Sequence, residues 1–101
     1  MAIWKQKLNV EQLNALRGDT LDKYLDIKVV EVGDDYIVAS MPVTNRTHQP
    51  MGILHGGASV ALAESVGSMA SNIVVYPEAY CVGLDINANH IKSVSEGLVY
   101  A

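Results

Sequence analysis

The chain has 101 residues, of which half are hydrophobic and 18% are charged, and this composition predicts a single globular domain spanning residues 1–101. Its net charge is −4, with only seven lysines and arginines and no basic cluster, which argues against a nucleic-acid partner. The one cysteine, Cys81, cannot form an intrachain disulfide, and the N-terminus lacks the apolar core of a secretory signal, so a cytoplasmic location is expected.

The N-terminal segment predicts two short helical elements. Asn9 and Gln12 have capping-box spacing, which predicts a helix over residues 9–17 that stops at Gly18. A further helical turn is expected through Tyr24. Either Thr20 or Asp22 would start this turn. The side chains expected to face inward from the first helix are Leu8, Leu13 and Leu16.

A β-hairpin is predicted next. Residues 27–32 are rich in β-branched side chains, a Gly-Asp-Asp turn follows, and residues 36–43 alternate between apolar and polar. The polar stretch 44–52 is longer than a simple turn and is expected to be a loop.

A long apolar helix is predicted over residues 55–75, ending before Pro77. It lacks the polar stripe of a surface helix, and its one charged residue is Glu64. Glu64 and several Ser, Gly and Asn residues interrupt the apolar run, which argues against a membrane span and favours a core helix.

Two strands are predicted after the helix. Val82, Leu84, Ile86 and Ala88 alternate with small or polar residues, and a second strand begins at Leu98. Antiparallel strands on both sides of one apolar helix predict an α+β domain whose sheet curls around that helix.

The His55-Gly56-Gly57 run at the start of the helix is the first candidate for chemistry. Free backbone N–H groups and the positive end of the helix dipole favour an anion, and such groups form an oxyanion hole in acyl transfer. Alternatively, the two glycines merely permit a tight junction between loop and helix.

Glu64 is the second candidate. Ser68 lies one helical turn further on, so its hydroxyl can hold a water or substrate group beside the carboxylate. The alternative is a structural carboxylate bonded to neighbouring polar groups.

The third group of candidates consists of polar side chains outside the helix. Loops on rigid scaffolds often carry function, and a histidine next to a lysine suits contact with phosphate. A metal site is not supported, because the three histidines lack ligand spacing and the cysteine has no partner. The residues in this group are Arg46, His48, Gln49, His90 and Lys92.

Two stretches, QPMGILHGGASVALAESVGS at 49–68 and VGLDINANHIKS at 82–93, resemble the hotdog-fold acyl-CoA thioesterases of the phenylacetate-degradation type. Within that family they are most similar to hydrolases of 1,4-dihydroxy-2-naphthoyl-CoA and related aroyl-CoA thioesters. The resemblance implies a hotdog fold, with an antiparallel sheet around one central helix, and a homodimer or tetramer whose active sites lie at the subunit interface.

The resemblance also implies roles for individual residues. Gln49, His55 and the Gly56 N–H would polarise the thioester carbonyl, while Glu64 from the other subunit acts as nucleophile or general base and Ser68 positions water or substrate. No metal or other cofactor is implied. The residues implied to contact substrate or coenzyme A are Gly57, Gly83, His90, Ile91, Lys92 and Ser93.

Domains of this family usually continue beyond the position that matches Ala101, so the chain is expected to be a hotdog domain that lacks its C-terminal strands. The rival interpretation is therefore a non-catalytic acyl-CoA-binding or assembly-forming hotdog module. A hotdog hydratase is less well supported, because its Asp/His pair is not evident in the sequence.

Overall fold

The computed structural model describes residues 1–101 and has an α+β architecture, as predicted. A three-stranded antiparallel sheet in the order β1-β2-β3 packs against one long helix. The elements in chain order are α1 (Val10–Ala15), α2 (Leu21–Tyr24), β1 (Lys28–Val32), β2 (Ile37–Pro42), α3 (Gly56–Val75) and β3 (Leu98–Tyr100).

The predicted hairpin is confirmed. β1 and β2 are antiparallel, with Lys28 opposite Ser40, and a bulge between Val29 and Glu31 turns the intervening Val30 outwards. The predicted strand at Leu98 is also confirmed, and it pairs with the other edge of β2. β2 is therefore the central strand and the most buried one.

The capping residues of the short helices are largely as predicted. The Asn9 side chain accepts a hydrogen bond from the Gln12 N–H, and Thr20 rather than Asp22 is the N-cap of α2. The inward position predicted for Leu16 is wrong, because α1 ends at Ala15 and the Leu16 side chain is 72% exposed. Leu13 alone of the predicted stripe is fully buried.

The predicted long helix is confirmed as α3, with His55 as its N-cap. Ala58 and Leu62, one turn apart, are its only fully buried residues. Three strands cover one face of the helix, so the expected wrapping by the sheet holds for that face only. α3 is long and apolar enough to cross a membrane by length and composition alone. Core helices of soluble proteins meet the same criterion. The main core cluster consists of Ile27, Ala39, Met41, Ala58 and Leu62.

The predicted strand from Val82 to Ala88 is wrong for this chain. Residues 79–91 carry no helix or strand, and the side chains of the expected apolar face are exposed, Leu84 by 99%. A strand exists only where a neighbouring strand takes up its backbone hydrogen bonds, and none of the three strands pairs with this segment.

Leu62→Ala is expected to lower the free energy of unfolding by about 2–5 kcal/mol, because it leaves a cavity between α3 and the sheet where Leu62 is 2% exposed. Urea denaturation measures this change. Leu16→Ala makes the same substitution at an exposed site and is expected to cost about 0.5 kcal/mol or less. Equal effects of the two substitutions would contradict the packing described above.

Candidate functional site

A cleft of about 340 Å³ lies at the N-terminal end of α3. It collects six of the residues singled out from the sequence, which come from the polar loop, the helix start and the segment before β3. These residues are Gln49, Gly56, His90, Ile91, Lys92 and Ser93.

Hydrogen bonds from both its backbone and its side chains hold the polar loop in place where it reaches the cleft. The Thr47 hydroxyl is buried and donates to the Pro42 carbonyl at 3.0 Å, and the Thr47 carbonyl accepts from the His55 N–H at 2.7 Å. The Leu54 N–H donates to the Val94 carbonyl at 2.8 Å, which ties the far wall of the cleft to the loop. A hydrogen bond of 2.9 Å between His48 Nε2 and the Ser95 carbonyl holds the same wall.

Gln49 presents a hydrogen-bond donor at the cleft. Its Oε1 accepts from the Met51 N–H, and its backbone N–H donates to the Ile53 carbonyl at 2.8 Å. The side-chain NH₂ group makes no hydrogen bond within the chain, and this group can only donate. Gln49 is therefore fixed in an orientation that suits a carbonyl oxygen.

A second donor is the backbone N–H of Gly56. The other amides of the first helical turn are occupied: Gly57 N–H donates to His55 Nδ1 at 2.8 Å, and the Ala58 and Ser59 N–H groups donate to the His55 carbonyl. The Gly56 N–H has no partner in the chain, and it stands at the positive end of the helix dipole.

Gly56 also permits close approach to the backbone at this point. The ring of His90 lies so close that a Cβ at position 56 would be 2.8 Å from its Nε2. The cleft thus brings together two hydrogen-bond donors, the Gln49 NH₂ group and the Gly56 N–H, beside the ring of His90, and such donors can form an oxyanion hole.

Glu64 lies elsewhere on α3, eight residues or about 12 Å further along the helix than Gly56. Its half-buried carboxylate takes part in no ion pair, and it lines a cavity of about 190 Å³ together with Ser68. Gly83 lies beneath this carboxylate, and a Cβ at Gly83 would overlap it.

Besides Glu64, Ser68 and Gly83, two predicted residues at the helix start are not brought to the Gln49 cleft. His55 and Gly57 line a separate cleft on the other side of the helix start, together with Arg46 and His48. Because His55 Nδ1 accepts from Gly57, the proton of the neutral ring is on Nε2. In this chain His55 therefore acts as the cap of α3.

Asn72, which no sequence pattern singled out, is linked to the Glu64 cavity through Cys81. The Asn72 carboxamide bonds both backbone groups of Cys81, a lining residue of that cavity. The available signal was its position on α3, four residues after Ser68 and eight after Glu64, which places all three on one face.

The sequence of residues 51–101 matches the family model described as the thioesterase superfamily. This match includes the helix start, Glu64 and the whole segment that leads to β3.

Three individual proteins are similar over almost the whole chain. A Vibrio cholerae protein with a provisional esterase name is 54% identical over 98% of this chain and 66% of its own length. The 1,4-dihydroxy-2-naphthoyl-CoA hydrolase of Escherichia coli is 52% identical over 96% of this chain and 71% of its own. The crystal structure of a glutamine-to-alanine variant of a Pseudomonas aeruginosa thioesterase is 48% identical and superimposes with a TM-score of 0.93, covering 98% of this chain and 72% of that one. The chain thus spans 66–72% of the length of these relatives.

Proposed function

Because this chain belongs to the thioesterase superfamily, we propose that it is an acyl-CoA thioesterase, which hydrolyses an acyl-CoA to the free acid and coenzyme A. The observation that carries the proposal is the convergence of the Gln49 NH₂ group and the Gly56 N–H on one cleft. As water or a carboxylate attacks a thioester, its carbonyl oxygen gains negative charge. Two fixed donors stabilise that charge without having to reorganise.

Glu64 is proposed to supply the attack, either directly as nucleophile or as general base on a water held by Ser68. In one chain Glu64 follows Gly56 by about 12 Å of helix rise, and the carboxylate and the two donors line separate clefts. A complete site therefore needs Glu64 of the partner subunit, and the functional unit is a homodimer or a larger assembly of dimers.

Pairing between two copies also accounts for the segment 82–88. Its alternating pattern has no neighbouring strand within the chain, and the same segment of a second copy can supply one. This pairing would bring each copy's α3 beside the other and bury the exposed apolar side chains, of which Leu84 is the most exposed.

The coenzyme A moiety is proposed to lie along residues 90–93, the outer wall of the Gln49 cleft. Lys92 carries a positive charge that suits the phosphates, and the exposed ring of His90 stands over the helix start. Gly57 and Gly83 would line the acyl portion of the path. The site needs no metal, and the proposed location is the cytoplasm.

The acyl group is proposed to be aromatic, of the hydroxybenzoyl or 1,4-dihydroxy-2-naphthoyl kind, with a short acyl chain as the alternative. This rests on the name of the Escherichia coli relative, which is 52% identical. A second candidate function is a non-catalytic acyl-CoA-binding module. The separation of Glu64 from the Gln49 cleft favours it.

Release of the coenzyme A thiol from benzoyl-CoA and from a naphthoyl-CoA tests the proposal. We expect turnover of at least one of them. Binding of a non-hydrolysable analogue without turnover of any thioester would support the binding module instead.

Gln49→Ala is expected to lower kcat by about 10²-fold, because it removes one donor from the developing oxyanion. Thiol release under saturating substrate measures the effect. Gln6→Ala changes an exposed glutamine far from the cleft and should leave kcat unchanged. A Gln49→Ala enzyme as active as Gln6→Ala would contradict the oxyanion hole.

A further inference from the structure

The segment 80–93 is attached to the rest of the molecule by very few hydrogen bonds. No backbone–backbone hydrogen bond involves any of its residues, and Asn87 bonds only to Asp85 within the segment. The only hydrogen bonds that connect it to another part of the chain come from the side chain of Asn72.

Asn72 uses its whole carboxamide for this attachment. Its Oδ1 accepts from the Cys81 N–H at 2.6 Å, and its Nδ2 donates to the Cys81 carbonyl at 2.9 Å and to the Ser68 carbonyl at 2.8 Å. Both donors and the acceptor are satisfied, so the side chain has one favoured orientation. It therefore holds Cys81 at a fixed place on the face of α3 that also carries Ser68.

Gly83 follows Cys81 by two residues and lies against the Glu64 carboxylate. Glu64 has no ion pair to fix its position, so its contact with this backbone limits where the carboxylate can go. We propose that Asn72 is a positioning residue for Glu64. By anchoring Cys81, Asn72 places the Gly83 backbone against the Glu64 carboxylate, and this contact orients the carboxylate toward the thioester. This inference rests on the proposed thioesterase function.

The chain contains a matched control for the loss of such an anchor. Asn14 on α1 bonds both backbone groups of Val29 in the same way, at 2.8 and 3.0 Å, but in a different pocket, which Ser65, Val66 and Met69 line from α3. Asn14→Ala therefore removes a like pair of hydrogen bonds without touching the Glu64 cavity.

The kinetic test compares Asn72→Ala with Asn14→Ala in the full chain. Asn72→Ala is expected to lower kcat by about 30- to 100-fold, since small misplacements of a reacting group cost rates of that order, with KM changed about twofold or less. Asn14→Ala should leave kcat within about twofold. In a Glu64→Gln background, Asn72→Ala should cause no further loss, because two residues that act through one step are not additive.

The reactivity of the single thiol provides a readout that needs no turnover. Cys81 is half-buried, and loss of its anchor should raise its rate of reaction with 5,5′-dithiobis(2-nitrobenzoate) by about tenfold in Asn72→Ala, and not in Asn14→Ala.

Three outcomes would count against the proposal. An unchanged thiol rate in Asn72→Ala overturns the anchoring. An Asn72→Ala enzyme that keeps the kcat of Asn14→Ala, while Glu64→Gln is inactive, overturns the positioning role but leaves the thioesterase function standing. An inactive wild-type enzyme overturns the thioesterase function itself and with it the catalytic part of this inference.

Discussion

Glu64→Gln is expected to lower kcat for thioester hydrolysis by about 10³- to 10⁴-fold, with KM changed about threefold or less. Glutamine has the size of glutamate and can occupy the same half-buried place above Gly83, but it neither attacks a carbonyl nor accepts a proton from water. Binding should persist, because the residues proposed to hold coenzyme A lie in the other cleft. Thiol release under saturating and limiting substrate separates the two parameters.

Two controls make this result specific. Glu96→Gln removes an exposed carboxylate that makes no side-chain contact in either cleft, and it should retain full activity. The urea midpoint of Glu64→Gln should stay near that of the wild type, since Glu64 forms no ion pair whose loss would destabilise the fold. A fully active Glu64→Gln enzyme would assign Glu64 a structural role only.

A single turnover in ¹⁸O-labelled water identifies the nucleophilic role of Glu64 if the first acid product is unlabelled. If water is activated by general base catalysis, the labelled oxygen enters the acid product in the first turnover. If the carboxylate attacks the acyl carbon, coenzyme A leaves and a mixed anhydride forms. When water then adds at the glutamyl carbon of that anhydride, the first product carries an unlabelled oxygen from Glu64 and the label remains on the enzyme; addition at the acyl carbon labels the product.

The elements that the sequence predicts correctly are those that local patterns determine. The hairpin follows from alternation around a Gly-Asp-Asp turn, and α3 follows from an apolar run that His55 caps and Pro77 follows. The inward position predicted for Leu16 is wrong for a local reason too. Capping geometry sets a helix end within one or two residues, and Leu16 lies just beyond the end of α1.

The strand predicted over residues 82–88 is wrong for a different reason: its alternation is typical of a strand, but no strand of the structure pairs with it. An alternating sequence pattern indicates that a segment can form a strand, but whether it does so depends on a neighbouring strand. The candidate site shows the same limit. The spacing of His55 and Glu64 places both on one helix, but it does not indicate whether they serve the same active site or two different ones.

Mixing two inactive variants, Gln49→Ala and Glu64→Gln, is expected to restore about one quarter of wild-type activity, if each site combines Gln49 of one subunit with Glu64 of the other. Random association of equal amounts makes half of the dimers mixed. Each mixed dimer has one site with both substitutions and one site with neither, so a quarter of all sites are intact. The variants are mixed in denaturant and refolded together, and thiol release is measured.

The matched control mixes Gln49→Ala with the double variant Gln49→Ala/Glu64→Gln. No dimer in that mixture has an intact site, so its activity should stay at the level of the variants. If the first mixture also stays at that level although mixed dimers are present, the site is formed within one chain, from residues that line two separate clefts in this structure. Recovery in the first mixture alone would explain why a chain with all the motif residues holds them in two separate clefts: each cleft is half of a site that the partner subunit completes.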